Sequence, residues 1–183
     1  MQSIAFVAGA DDAQAGALKV MARQVGFRTV HTFRGVPDIE RLAATAPVLF
    51  VLFPAVGRLA SVARTVDQIR GSADDRVRFA PLVYFAESPS LEAIRGCIDI
   101  GFDDIVTLPY TLRRVAERLG RQLDRPLAYF QTASYFGPDR RDRLPTRDDP
   151  PRGSGGDGRR FEVVRSEAFG IRVTAAHERQ VMV

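Results

Sequence analysis

Residues 47–54 read Pro-Val-Leu-Phe-Val-Leu-Phe-Pro, a run of six apolar side chains between two prolines. Continuous apolar character is typical of a strand that is covered on both faces in a parallel sheet, whereas a strand with one solvated face alternates. The run lies within a longer stretch, from Glu40 to Asp67, that has no acidic residue in between. The sequence therefore predicts a central buried strand that does not end in a carboxylate.

Segments with strand-like and helix-like patterns alternate on both sides of this run. The predicted strands are residues 3–8, 27–33, 48–53, 80–85 and 104–107, and the predicted helices are residues 11–25, 37–44, 59–70, 90–101 and 111–123. Residues 71–76 are predicted to form a polar loop. Five alternations with short connections favour an α/β fold, a doubly wound five-stranded parallel sheet with helices on both faces. In such a sheet a binding site lies outside the carboxyl ends of the strands.

Length and composition fit one globular domain with an extension. The chain has 183 residues, a formal net charge of +4 and a single cysteine, Cys97. One cysteine provides neither a disulfide framework nor a metal cluster. The longest apolar run, residues 46–56, is much shorter than the ~20 residues that span a bilayer, and the N-terminal residues lack the basic region of a signal peptide. We therefore expect a cytoplasmic protein, and neither Cys97 nor His31 or His177 belongs to a visible catalytic set.

Several short stretches in the first two thirds of the chain carry a resemblance to a known family. They are Gly26-Phe27 after the first helix, Phe-Ala-Pro-Leu-Val-Tyr-Phe at 79–85, Ile-Gly-Phe-Asp-Asp at 100–104, and Leu108-Pro109-Tyr110. In order and spacing, residues 3–124 resemble the receiver domain of response regulators of the chemotaxis (CheY-like) type, where the last stretch reads Lys-Pro-Phe. The resemblance implies the receiver fold, a role in two-component signal transduction, and a cis peptide bond between Leu108 and Pro109.

The positions that carry receiver chemistry are apolar or small in this chain. By resemblance, the acidic Mg²⁺ ligands fall on Gly9 and Ala10, the phosphate-accepting aspartate on Phe53 (or on Phe50, counted back from Pro54), the hydroxyl on Phe85 or Ala86, and the lysine on Leu108. Mg²⁺ requires oxygen ligands, and an acyl phosphate requires a carboxylate. We therefore predict a degenerate phosphorylation pocket without phosphotransfer, metal or cofactor, formed by Gly9, Ala10, Phe53, Ala86 and Leu108.

Two aspartates that follow the first predicted strand leave two interpretations open. Asp11 and Asp12 can cap the first helix, because a side-chain oxygen at that position accepts a hydrogen bond from a free backbone N–H. Alternatively, a shifted loop brings them to a metal ion.

The resemblance implies that the fourth helix, fifth strand and fifth helix form the face that serves dimers and outputs. The charged candidates on that face are Glu92, Arg95, Arg113, Arg114, Glu117 and Arg118. The alternative is an ordinary solvated surface. We predict a non-enzymatic pseudo-response-regulator whose partner is another signalling protein or a second copy of the chain.

The composition changes after the predicted receiver-like domain, residues 1–125. Residues 126–160 are rich in Arg, Asp, Gly and Pro and are predicted to form a flexible linker. Residues 161–183 are a short β-prone segment that could form a hairpin. Since an isolated hairpin is marginal in water, this segment would have to dock on the domain or on a partner.

An aromatic and arginine-rich motif lies within the predicted linker. It consists of Tyr135, Phe136, Arg140, Arg141 and Arg143. The interleaved aspartates favour a self-neutralising linker, and a docking motif for a protein partner is the second interpretation. The third is binding of a nucleotide or nucleic acid, with rings stacked on bases and guanidiniums on phosphates. Arg-x-x-Asp at 64–67 and 121–124 is similar to a pattern of cyclic di-GMP sites and belongs to this third interpretation.

Overall fold

A parallel sheet lies at the centre of the N-terminal part of the chain. The structure, a computed structural model, describes residues 1–9, 12–55, 59–140 and 158–178. The strands of this sheet are β1 (Ile4–Val7), β2 (Val30–Thr32), β3 (Leu49–Phe53), β4 (Leu82–Ala86) and β5 (Asp104–Thr107). All neighbouring strands are parallel, in the order β2-β1-β3-β4-β5. The doubly wound sheet predicted from the alternation is confirmed.

Helices connect these strands and cover both faces of the sheet. Those in the described ranges are α1 (Ala13–Val25), α2 (Val36–Ala43), α3 (Ala60–Arg70), α4 (Asp75–Arg78), α5 (Leu91–Ile100) and α6 (Leu112–Gly120). The predicted polar loop at 71–76 runs into the short helix α4, because Asp74 caps it and Val77 is buried in the core. The fourth and fifth predicted helices are therefore α5 and α6. None of these helices combines the length and apolar character needed to cross a bilayer.

The central strand β3 separates two apolar clusters. Leu49, Val51 and Phe53 belong to the cluster with α2, α3 and α5, whereas Phe50 and Leu52 belong to the cluster with α1 and α6. Side chains alternate between the two faces of a strand. A strand with helices on both sides must therefore be apolar at every position, and all five residues of β3 are buried.

The C-terminal part of the chain forms a second, antiparallel sheet. Its strands are β6 (Pro126–Gln131), β7 (Phe136–Pro138), β8 (Arg159–Ser166) and β9 (Gly170–Glu178), in the order β7-β6-β8-β9. The prediction of a flexible linker over residues 126–160 is therefore wrong for residues 126–140, while residues 141–157 lie outside the described residues. The β-prone segment predicted from residue 161 contains most of β8 and β9, which pair as a hairpin.

Phe79, which follows α4, joins the two sheets. Its ring centroid lies 5.3 Å from Tyr129, 5.3 Å from Phe136 and 5.6 Å from Phe161, each in an edge-on arrangement. Val163 packs into the same cluster. Aromatic pairs of this geometry contribute roughly 0.5–1.5 kcal/mol beyond their buried area. The segment predicted as a linker is ordered because its few apolar residues meet an aromatic surface of the parallel domain.

Gly101, at the end of α5, lies against the backbone of β7. It has the left-handed conformation, with φ +100, and an added Cβ would lie only 2.6 Å from the carbonyl oxygen of Phe136. Gly26 ends α1 in the same conformation, with φ +98, but the nearest atom to an added Cβ is 3.8 Å away. The two glycines therefore differ in their surroundings rather than in their backbone.

We predict that Gly101→Ala lowers the free energy of unfolding by at least about 3 kcal/mol, and that Gly26→Ala lowers it by about 1–2 kcal/mol. The cost of the left-handed conformation is common to both variants. The difference between their losses in the free energy of unfolding therefore measures the effect of the close contact between β7 and the end of α5. Urea titration followed by circular dichroism measures both values. Equal losses in the two variants would contradict the contact between α5 and β7.

Candidate functional site

A phenylalanine occupies the carboxyl end of β3, where a receiver would carry its phosphate-accepting aspartate. Phe53 is the last residue of β3 and is fully buried. Its ring packs edge-on against Phe102, with 5.0 Å between centroids, and Phe102 contacts Tyr84 at 5.4 Å. Phe50 lies in the middle of the strand, against Phe27 in the opposite cluster. Of the two alternatives, Phe53 therefore takes the position at the end of the strand.

The loop after β1 has a glycine at one predicted ligand position. Gly9 has φ +118, and an added Cβ would lie 3.2 Å from the Pro54 side chain, so an acidic residue would be strained there. Asp12 accepts a hydrogen bond from the backbone N–H of Ala15 at 2.9 Å, as the capping interpretation requires. Ala10 and Asp11 lie outside the described residues. Over the ranges that the structure describes, no three His, Cys, Asp or Glu side chains are grouped to hold a metal ion.

The other two positions of the predicted pocket are separated. Ala86 ends β4 and is buried in the same cluster as Phe53. Leu108 is 41% exposed, and the Leu108–Pro109 peptide bond is cis, as the resemblance implies. Phe85 belongs to the opposite cluster. The structure thus brings Phe53 and Ala86 together but leaves Leu108 at the surface.

The predicted interaction face lies on α5 and α6. Of its charged candidates, Glu92, Arg95, Arg113, Arg114 and Glu117 are exposed. Arg113 and Glu117 form a weak pair at 3.7 Å. Arg118 is different, because it is half-buried and bonded through two nitrogens to Asp104 in β5. Arg118 therefore holds α6 to the edge of the parallel sheet and is less available to a partner.

Sequence reasoning missed Leu91 and Leu112 and assigned Leu108 to the degenerate pocket, whereas all three leucines are exposed. Leu91 is 76% exposed at the start of α5, and Leu112 is 43% exposed at the start of α6. Leu108, in the loop before α6, is the third. All three follow the carboxyl ends of β4 and β5, so they lie at the same end of the parallel sheet. The sequence feature that could have indicated their exposure is a leucine at the first position of α5 and of α6, outside the set of residues that each helix buries.

A buried ionic network connects the parallel domain to the second sheet. Asp103, just before β5, accepts hydrogen bonds from Arg70 at 2.7 Å, from Arg165 at 2.8 Å and from the backbone N–H of Leu82 at 2.8 Å. The Tyr129 hydroxyl donates to the same carboxylate and accepts from Arg165. The side chains of the three charged residues are 3% exposed or less. Asp103 is therefore the anion around which α3, β6 and β8 are assembled.

The two arginines of this network are also bound by main-chain carbonyls. Arg70 donates to the carbonyls of Arg78, Ala80 and Gly101 at 2.8–3.0 Å. Arg165 donates to the carbonyl of Phe79 at 2.8 Å. These bonds satisfy most of the buried guanidinium protons, although the Nε of Arg70 has no hydrogen-bond partner among the described residues. A buried ion pair is tolerated when its remaining protons are satisfied in this way.

Asp103 remains ionised in this environment. Burial alone raises the pKa of its carboxyl group, but the charges of Arg165 and Arg70 outweigh burial and hold that pKa at about 2. Burial also raises the pKa of Tyr129, so its hydroxyl stays a proton donor. The sequence analysis did not predict this network, because it used Asp103 only as part of a stretch that carries the family resemblance. Neither Arg70 nor Arg165 belongs to a local sequence pattern that indicates a buried ion pair.

The predicted tail motif is only partly described, and its described members are used internally. The Tyr135 hydroxyl donates to the carbonyl of Pro138 at 3.0 Å, and burial raises its pKa to about 12. The Phe136 ring packs on Phe79. Arg140 donates to the carbonyls of Phe102 and Asp103 at 2.7 and 2.9 Å. The Phe136 ring is therefore not free to stack on a base, and Arg141 and Arg143 lie outside the described residues.

The comparisons with known proteins concern the fold. No protein-family model matches the chain, and no curated protein matches it. Solved structures with a similar fold include a pilus assembly-related protein from Burkholderia pseudomallei, at 16% identity and a TM-score of 0.48, with 66% of this chain and 88% of that chain covered. A CheY-like protein, tadZ, from Pseudomonas aeruginosa has 16% identity and a TM-score of 0.48, with 64% and 97% covered. The receiver domain of a sensor histidine kinase from the same organism has 18% identity and a TM-score of 0.45, with 66% and 95% covered.

The strand order agrees with the fold of these structures. A doubly wound parallel sheet in the order 2-1-3-4-5 is the arrangement found in CheY, and the parallel domain has this order. The N-terminal two thirds of the chain thus have a receiver-type fold, to which an antiparallel sheet is added.

Proposed function

We propose that this chain is a pseudo-response-regulator that acts in signal transduction through protein contact, without phosphotransfer. The observation that carries the proposal is the fully buried Phe53 at the end of β3, packed against Phe102. A phosphoryl group needs a carboxylate that is reachable from solvent and a cation beside it. Here an aromatic ring fills the position, and Leu108 replaces the lysine expected there by resemblance.

Apolar packing at this site favours a single state. A receiver that is switched by phosphorylation depends on charged groups gathered at the strand ends, and these repel one another or require a metal ion. The site instead contains buried apolar surface from Phe53, Ala86 and Phe102. This packing stabilises one conformation of the site, independently of phosphoryl donors. We infer that regulation acts on partner binding or on the abundance of the protein rather than on this pocket.

The proposed contact surface is the α5–β5–α6 face, which the resemblance implies for receivers. Exposed Leu91 and Leu112 are followed in sequence by the exposed residues Glu92 and Arg113, and exposed Arg95 lies one helical turn after Leu91. Apolar groups surrounded by charged ones are typical of protein contact surfaces, where the centre excludes water and the rim stays solvated. The partner is a signalling protein or a second copy of the chain.

We predict that Leu112→Glu abolishes partner capture, with recovery reduced at least about tenfold. The measurement is affinity capture by the full chain from cells that produce it, with quantitative mass spectrometry. A glutamate at the first position of α6 favours the helix electrostatically, so loss of capture would not reflect loss of folding. Val20→Glu is the control, because Val20 is 51% exposed on α1, which is not one of the elements of the proposed surface.

Treatment with acetyl phosphate and Mg²⁺ should leave the capture unchanged. Sedimentation velocity of the purified chain separates the two kinds of partner, since a second copy gives a concentration-dependent dimer that Leu112→Glu disrupts. Capture that depends on acetyl phosphate, or that Val20→Glu reduces as strongly as Leu112→Glu, would contradict the proposal.

A further inference from the structure

A cavity of about 390 Å³ lies where β5 and α6 meet the second sheet. Four arginines line it: Arg118 in α6, Arg121 directly after α6, Arg125 before β6, and Arg140 after β7. Its size lies within the range of small-molecule sites in proteins, roughly 300–1,000 Å³. Basic side chains from α6 and from the segments that flank the second sheet therefore meet around one space of ligand size.

The charges around this cavity do not cancel. Its wall contains three carboxylates, of Asp103, Asp104 and Asp139. Arg70 and Arg165 bind Asp103 from outside the wall, and Arg160 approaches Asp139 at 3.4 Å. The wall itself thus carries four guanidinium groups and three carboxylates. The excess of positive charge favours an anion inside the cavity.

Two of the four arginines are held in place before any ligand arrives. Arg118 is fixed by its two bonds to Asp104, and Arg140 is fixed by the carbonyls of Phe102 and Asp103. A site whose charged groups are already ordered loses less conformational entropy on binding. Guanidinium groups form paired hydrogen bonds with the oxygens of phosphate groups.

We propose that this cavity binds a small phosphate-bearing ligand with at least two negative charges. The phosphate groups lie among Arg118, Arg121 and Arg140, and the ligand bridges α6 and the second sheet. This site is separate from the degenerate pocket around Phe53. It shares Arg140 with the tail motif and Arg121 with the Arg-x-x-Asp pattern at 121–124, but it adds Arg118 of α6 and needs no stacked base.

The test is isothermal titration calorimetry of the full chain with pyrophosphate at constant ionic strength. We expect saturable binding to the wild type and a rise in its melting temperature, since the ligand stabilises the folded state that binds it. Arg121→Gln should weaken binding at least about tenfold. Arg121 is exposed at the rim, so this substitution should not disturb folding. Arg23→Gln is the control, because it removes the same charge from an exposed arginine of α1 that does not line this cavity, and it should bind like the wild type.

Three results would overturn the inference. One is the absence of saturable binding at about 1 mM pyrophosphate. Another is equal weakening by Arg121→Gln and Arg23→Gln, since general surface charge would then account for the binding. The last is binding of a single-stranded oligonucleotide without binding of pyrophosphate, which would assign the arginines to an open nucleic-acid surface rather than to this cavity.

Discussion

Replacing Asp103 by asparagine should destabilise the protein by about 3–5 kcal/mol, the usual cost of breaking a buried ion pair by removing one partner. The side chain is 2% exposed and is the common acceptor for Arg70 and Arg165. Asparagine keeps the shape but leaves two buried guanidiniums without a counter-charge, and it places an amide N–H₂ among groups that donate. Denaturant titration followed by circular dichroism measures the loss.

The neighbouring residue provides a matched control. Asp104 also pairs with an arginine, but the side chains of this pair are more accessible, 16% for Asp104 and 29% for Arg118. Water screens such a pair, so Asp104→Asn should cost no more than about 1 kcal/mol. If Asp103→Asn costs no more than Asp104→Asn, the network does not hold the two sheets together.

The pH dependence of stability reports the same carboxylate. The pKa of Asp103 is lowered to about 2 in the folded protein, from 3.8 as the ordinary value. Because its folded pKa is below its unfolded pKa, the unfolded chain binds the proton more readily. The contribution of Asp103 is therefore complete above about pH 4 and is lost as the pH falls towards 2. Asp103→Asn should lack this component of the acid unfolding curve.

Replacing Phe53 by aspartate, the residue that a working receiver would carry, should destabilise the protein by at least about 4 kcal/mol. Loss of a buried phenylalanine side chain costs about 3–5 kcal/mol, and the new carboxylate adds a desolvation penalty because the position is fully buried. The described side chains packed on Phe53 include the aromatic ring of Phe102, which in turn contacts Tyr84. Thermal and denaturant unfolding measure the loss.

We also expect that acetyl phosphate and Mg²⁺ label neither the wild type nor Phe53→Asp, as judged by intact-mass spectrometry, with an active receiver domain as positive control. Phe53→Leu is the companion variant, since it keeps an apolar side chain and should remain folded and unlabelled. A Phe53→Asp variant that is as stable as the wild type and becomes labelled would show that the rest of the phosphorylation site is still present. Labelling of the wild type would direct attention to another carboxylate, such as Asp12.

Local pattern was sufficient for the parallel domain because its elements have strong periodic signals. The run at 48–53 is apolar at every position, and β3 lies in the centre of the sheet as expected. Ser90 and Thr111 cap α5 and α6, where the sequence placed helix starts. The same reasoning found the helix-capping alternative for Asp12, since caps depend only on residues three positions apart.

Composition was misleading for residues 126–140. The average composition of this polar segment does not show that Tyr129 and Phe136 have a specific apolar surface to pack on. That surface is supplied by Phe79, some fifty residues earlier in the chain, and by Phe161 in β8. Folding of this segment is decided by a contact that no local window contains.

By itself, the sequence determined the doubly wound parallel sheet, the apolar end of β3 and the lack of a carboxylate at Phe53, because these follow from side-chain type at successive positions. Only the tertiary structure decided that the C-terminal segment forms a sheet, that Asp103 is its buried anchor, and that Arg118 of α6 and Arg140, which follows β7, share one cavity. Arg165 bonds to the carbonyl of Phe79, 86 positions away. Electrostatic and aromatic contacts of this kind depend on distance in space, which periodicity along the chain does not encode.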